Sequence, residues 1–255
     1  MEIGLIFNIL TGLFTALVFY IIAGFRLQLT VYSVLMASAQ SILCVAYTII
    51  GFQIMSKGKI ALYTVFLMTG GMVVPFIWGL LFLNEPFTPL RTMGLIVIAI
   101  SVIATNADSQ KLNVRQIVMC CAVFLLNGFV SVISKEHQIH ANAVSSLDFV
   151  ILSSLTKLIL CAAALLFVKR TPERKKSLTI KLIPLILVSA LLSGGSYLLQ
   201  LTAAVHLPAT VLYPTVTGGS ILFTAAAGRL FYKEKLTPKL LGGVILCFLG
   251  TCMFL

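Results

Sequence analysis

One cation falls where the chain is otherwise uniformly apolar. Lys157 lies near the middle of the run 146–168, about ten residues or roughly 15 Å from either end at a helical rise. In hydrocarbon such a lysine costs about 2.5–3.5 kcal/mol unless it meets a wet cavity or a partner. Two readings follow. The ammonium attracts a carboxylate or phosphate into a cavity, or it is a structural lysine. In the second case it would be capped by Ser153, Ser154 or Thr156, or by carbonyls freed at a break in a neighbouring helix. Other polar groups are scattered through the apolar runs. Tyr47 and Tyr197 stand at equivalent places about 150 positions apart, Gln200 follows Tyr197 by one helical turn, Asn127 sits within LLNGF, and Tyr213 precedes Pro214. Tyrosine and amide groups can hydrogen-bond a solute while showing it an apolar face. They can equally tie helices together, for about 0.6 kcal/mol a contact. The paired tyrosines favour the first use, and the candidate binding set is Lys157, Tyr197, Gln200, Tyr47, Asn127 and Tyr213.

Other chemistry lacks its residues. The seven acidic side chains (Glu2, Glu85, Asp108, Glu136, Asp148, Glu173 and Glu234) all stand at the ends of apolar runs or between them. A pump exchanging protons for lipophilic cations needs a carboxylate at membrane depth, and a hydrolase needs an acid/base pair; neither is expected, and the chain does not read as an enzyme. The cysteines Cys44, Cys120, Cys121, Cys161, Cys247 and Cys252 all fall within apolar runs and read as small packing residues. His137, His140 and His206 have no cysteine or carboxylate at ligand spacing, so no metal and no cofactor is expected. No glycine-rich loop leads into a Lys-Ser/Thr, so energy would come from gradients rather than nucleotide hydrolysis.

The elements that must position these residues follow from composition. Hydrophobic residues make up 60% of the chain, charged residues 10%, and the mean hydropathy is +1.09. A soluble domain carries about 25% charged residues; this chain cannot cover itself in water, and its solvent is lipid. A net charge of +11 does not point to nucleic acid, because the basic residues sit in short breaks between apolar runs, where they orient membrane proteins. No leader is expected, since the first residues are apolar around Glu2 and no small-residue cleavage site follows.

Nine apolar segments are predicted, at about 3–24, 31–55, 59–83, 89–106, 114–134, 146–168, 182–204, 207–231 and 239–255. They lack strand alternation and are too long for barrel strands. Helices are the other way to satisfy a backbone in lipid. The longest polar break is KRTPERKKSLTIK, Lys169 to Lys181, a solvated cytoplasmic loop or a site for anionic headgroups.

The plan is written twice. GKIALYTVFLMTGGMVVPFIWGLLFLNEPFTP, Gly58 to Pro89, returns as LPATVLYPTVTGGSILFTAAAGRLFYKEKLTP, Leu207 to Pro238. Thr69-Gly70-Gly71 matches Thr217-Gly218-Gly219, Glu85 matches Glu234, Thr88-Pro89 matches Thr237-Pro238, and Gly94 matches Gly243. The glycine pairs, with Gly194-Gly195, read as points of close helix approach. Folding the chain at this repeat gives 1–107 with four segments and 113–255 with five. The segment 114–134 has no counterpart upstream, so the simplest plan is five-plus-five with the first helix absent. Five is odd, so the repeats lie inverted. Fourteen of the eighteen Lys and Arg collect on one face; Arg26, Arg91 and Lys135 lie on the other, and Lys157 within a helix. The richer face is expected in the cytoplasm, which puts Leu255 outside.

These segments resemble the drug/metabolite transporter superfamily, specifically its EamA-like ten-helix members, over nearly the whole chain. The most specific parts are SYLLQLTAAVHLPATVLYPTVTGGSILF with LFYKEKLTPKLLGGVILCFLGT, and the echo GGMVVPFIWGLLFLNEPFTPLRTMGLIVIAISVIA. CAVFLLNGFVSVISKEHQ resembles the repeat-opening helix, present once. The resemblance implies an all-α polytopic bundle of about nine membrane helices in two inverted repeats. It implies a permease of the cell membrane moving a small organic metabolite, such as an amino acid or organic anion, by alternating access through a cavity between the repeats. Its partners would be the small-molecule solute and membrane lipid, with no nucleic acid. The family has both termini in the cytoplasm, against the charge count. The absent helix keeps a second reading open, a non-transporting scaffold of the same fold.

Overall fold

A computed structural model describes residues 2–57, 60–106, 113–167, 183–231 and 238–254. The polar break Lys169 to Lys181, the break at 107–112, and Gly58, Lys59, Glu234 and Thr237 of the repeat lie outside the described residues.

Nine helices form among the described residues: α1 (Glu2–Ile22), α2 (Val31–Met55), α3 (Ile60–Phe82), α4 (Pro89–Asn106), α5 (Val114–Ile139), α6 (Ser146–Leu166), α7 (Ile183–His206), α8 (Ala209–Phe231) and α9 (Pro238–Cys252). Seven are long and apolar enough to cross a membrane; α4 and α9 are shorter apolar helices. No strand occurs among the described residues. Lipid supplies no hydrogen bonds, so each segment must close its own backbone, and only a helix does so within one segment.

Local chemistry sets the ends. The chain leaves α1 through Gly24 (φ +65°) and Phe25 (φ +59°), whose N–H groups return to the carbonyls of Ile21 and Tyr20 at 2.9 and 3.0 Å. A left-handed exit of this kind satisfies terminal carbonyls and suits glycine. Ser145 caps α6, accepting the Asp148 N–H at 3.1 Å and donating to its carboxylate at 2.8 Å. Pro75 lies inside α3 and Pro214 inside α8, as membrane helices tolerate.

The chain divides into two compact units. The first takes Met1–Ile49 and Ile133–His206, the second Ile50–Val132 and Leu207–Leu255. Each draws on both halves of the sequence, and α2 and α5 contribute to both. In the first unit α1, α6 and α7 pack on one another around Phe19, Ala37, Phe149, Val150, Ile151 and Leu201. In the second, α4 packs on α9 and α3 on α8 around Met72, Phe76, Ile98, Val102 and Cys247. α4 and α9 touch backbone to backbone. A methyl group on Gly94 would lie 2.8 Å from the Gly250 carbonyl oxygen, and one on Gly250 3.0 Å from that of Gly94. Outward-facing side chains are large and apolar, for instance Phe223 at 79% and Leu192 at 69% exposure. In water such a surface would drive aggregation; against acyl chains it costs nothing.

Three expectations are corrected. Lys135 is not a loop charge. α5 runs on to Ile139, and Lys135 is buried within it, because a helix-terminal carbonyl of α7 receives its ammonium. Cys121 and Cys252 are exposed rather than packed, since they lie on outward faces of α5 and α9. Of the glycine pairs, a methyl group on Gly195 or Gly219 would meet no described atom within 4 Å, so neither marks a close helix approach among the described residues.

Candidate functional site

One set of described polar groups lies in the first unit, on α2, α5, α6 and α7. Ser33, Gln40 and Tyr47 are seven apart on α2, two helical turns each, and so share a face. The opposing groups are Ser134, Lys135 and His137 on α5, Ser153 and Thr156 on α6, and Tyr197 on α7.

Near the start of α2, His137 is fully buried. Its Nε2 lies 2.8 Å from Ser33 Oγ and its Nδ1 2.9 Å from Gln138 Nε2. Ser33 also accepts the Val144 N–H at 3.1 Å, and the imidazole stacks on Phe149 with centroids 3.7 Å apart. With both ring nitrogens engaged, this cluster clasps helices. Lys135 Nζ donates to the Ala204 carbonyl at 2.7 Å. That carbonyl belongs to the last turn of α7, where the helix dipole favours a cation.

Deeper along α2, Gln40 Nε2 donates to Tyr197 Oη at 2.6 Å. Ser134 Oγ lies 3.1 Å from the same oxygen. Gln40 is 7% exposed, and its Oε1 has no hydrogen-bond partner among the described residues. Beside it, Ser41 Oγ lies 2.7 Å from Thr156 Oγ1 and donates to the Ser153 carbonyl at 3.2 Å.

The predicted residues fall as follows. Tyr197 belongs to the Gln40 cluster. Lys157, half-buried, follows Thr156 directly. Of the hydroxyls expected to cap it, Ser153 donates to the Val150 carbonyl and Thr156 to that of Leu152, which leaves their oxygens able to accept. Tyr47 accepts from Cys44 Sγ in its own helix at 3.4 Å, so the two tyrosines of the repeat have different partners. Gln200 is half-buried, with no hydrogen bond among the described residues. These four belong to the first unit and the remaining two to the second. There Asn127 Nδ2 donates to the Leu67 carbonyl at 2.8 Å, and Tyr213 Oη to the Ser131 carbonyl at 2.6 Å. Both thereby tie one helix to the next.

Sequence reasoning passed over Gln40, Ser134 and Glu85. The seven-residue spacing with Tyr47 was the available signal for Gln40. Glu85 was read only as a repeat marker. Its carboxylate accepts the N–H groups of Ala209 at 2.6 Å and Thr210 at 2.8 Å, closing the start of α8.

A groove of about 230 Å³ in the first unit is lined by Leu13, Ala16, Leu17, Tyr20, Leu27, Ile151 and Leu155. Its apolar walls suit a hydrocarbon chain, and none of the candidate polar residues lines it. Among the described residues no three His, Cys, Asp or Glu gather as a metal site. The Gln40 cluster offers neutral hydrogen-bonding groups on membrane-spanning helices, with one amine close by in sequence. Such groups bind and orient a polar solute.

The fold and these side chains define a multi-pass α-helical integral membrane protein with polar groups held at membrane depth. A family model, EamA-like transporter family, matches residues 114–255, more than half of the chain, and the chain belongs to that family. No curated protein sequence matches it.

Proposed function

We propose that the protein is a secondary transporter of the cell membrane that moves a small organic metabolite, an amino acid or an organic anion, by alternating access. Membership of a transporter family supports a transport role. The observation that carries the solute-binding reading is the Gln40–Tyr197–Ser134 cluster, a hydrogen-bonding site at membrane depth with one amide oxygen unspent. Lys157, a half-buried amine in an apolar helix, is the group to receive a carboxylate. Its desolvation in an apolar setting is offset only by such a partner or by water. The sequence repeats 1–107 and 113–255 supply the two elements that rock, as inverted repeats do in other transporters. Energy comes from a gradient.

The test is flux into proteoliposomes containing the purified protein, with labelled amino acids and organic anions and with empty liposomes as control. Saturable uptake of at least one solute is expected. Uptake no faster than into empty liposomes across the panel sinks the proposal.

A further inference from the structure

We propose that Gln40 Oε1 is a recognition point for an N–H group, so that the solute is an amine-bearing molecule whose nitrogen donates to this oxygen. The inference rests on the transport reading for the word solute, but the site itself stands on geometry.

A primary amide offers one acceptor oxygen and two N–H donors. In Gln40 the nitrogen end is committed, donating to Tyr197 Oη at 2.6 Å. The phenol oxygen in turn meets Ser134 Oγ at 3.1 Å. The amide is therefore held by a partner on α7 that is itself held from α5. The oxygen end is buried and has no partner among the described residues. A buried acceptor left unsatisfied costs about 1–3 kcal/mol, and most buried polar atoms are paired. An oriented, unspent acceptor on a membrane-spanning helix thus selects a donor. Tyr197 beside it is partly buried. Carboxylates and ethers have no donor to offer this oxygen; amines and ammonium groups do, and a cation strengthens the bond. The other two buried hydroxyls without partners, on Thr210 and Thr215, can rotate to a backbone carbonyl, as membrane-helix threonines do.

The experiment measures binding and flux with the full chain in lipid nanodiscs and proteoliposomes. The probes are L-leucine, L-lysine and putrescine, with 4-methylpentanoate as the des-amino partner of leucine. Wild-type protein should bind at least one amine. Gln40→Leu should weaken that amine about 10- to 100-fold and leave 4-methylpentanoate within twofold. Gln40→Glu keeps an acceptor and should bind the amine within about threefold of wild type, or more tightly. It also serves as the folding control, together with a monodisperse elution profile. Tyr197→Phe frees the amide to turn and should weaken the amine about 5- to 20-fold. Four results overturn the inference: no amine binds, Gln40→Leu binds amines as wild type does, it loses amine and des-amino probes equally, or Gln40→Glu abolishes amine binding in folded protein. Equal loss, or loss of stability alone, would assign the oxygen to a buried water. The readings separate cleanly. Flux of 4-methylpentanoate without amine binding leaves transport standing and removes the Gln40 site. Gln40-dependent amine binding without any flux does the reverse.

Discussion

The Ser101 hydroxyl of α4 donates to the carbonyl oxygen of Gly243 in α9 at 2.6 Å. Seven residues away on each helix, Gly94 meets Gly250. Gly94 and Gly243 are equivalent in the sequence repeat, and the same offset pairs Ser101 with Gly250. Each residue therefore touches the counterpart of the other, the pattern of a two-fold contact between copies, here within one chain. Contacts that run 94 to 250 and 101 to 243 also require α4 and α9 to be antiparallel.

Ser101→Ala should lower stability by about 0.6–1.7 kcal/mol, the range for hydrogen bonds between membrane helices. Gly94→Leu should do far worse, because its side chain would enter the Gly250 backbone. Thermal unfolding in detergent checks both. A Gly94→Leu protein as stable as wild type would refute the close contact.

Glu85 holds α8 by two backbone N–H groups, Ala209 and Thr210. A carboxylate at a helix N-terminus is favoured by the dipole and the unpaired donors there. Glu85→Ala should cost about 1–2 kcal/mol and Glu85→Gln less, since the amide keeps one acceptor. The order Ala, Gln, Glu in melting temperature is the expected readout; Ala equal to Glu would contradict it.

Gly70 and Gly219, one from each copy of the Thr-Gly-Gly, differ in their surroundings. A methyl group on Gly70 would strike the backbone of Phe124, whereas one on Gly219 would meet no described atom within 4 Å. Gly70→Ala should therefore destabilise by about 1–3 kcal/mol, as overpacking does. Gly219→Ala should stay within about 0.5 kcal/mol of wild type, as surface changes do. Equal losses would mean that both faces are covered.

Lys157→Met removes the amine without emptying its volume. Anionic solutes should lose at least about tenfold in uptake, through loss of a charged partner. Stability should hold or rise, because a charge leaves an apolar setting. Unchanged anion flux in well-folded protein would take Lys157 out of the site.

Asn127 Nδ2 and Tyr213 Oη donate to the carbonyls of Leu67 and Ser131. Tyr213→Phe should cost about 0.6 kcal/mol and leave the amine affinity of the Gln40 cluster unchanged within twofold. A large loss of affinity would assign Tyr213 to solute contact.

Much of this protein was legible in the amino-acid order alone. Apolar runs of about 20 residues become membrane helices because lipid leaves an unpaired backbone no alternative, so the positions of α1 to α9 follow within a few residues. The repeat at Thr69-Gly70-Gly71 and Glu85 is likewise a property of the string. Which polar side chains face one another is not. Gln40 and Tyr197 are 157 residues apart in sequence, and their 2.6 Å contact depends on how α2 meets α7. Lys135 looked like a loop charge until the end of α7 supplied a carbonyl for it. Gly71 and Gly219 match in the repeat, yet only Gly71 lies against a described neighbour, Asn127 of α5. Burial in lipid is decided by one residue's transfer energy at a time, which a sequence carries; pairing is decided by two helices at once, and only the tertiary structure holds both.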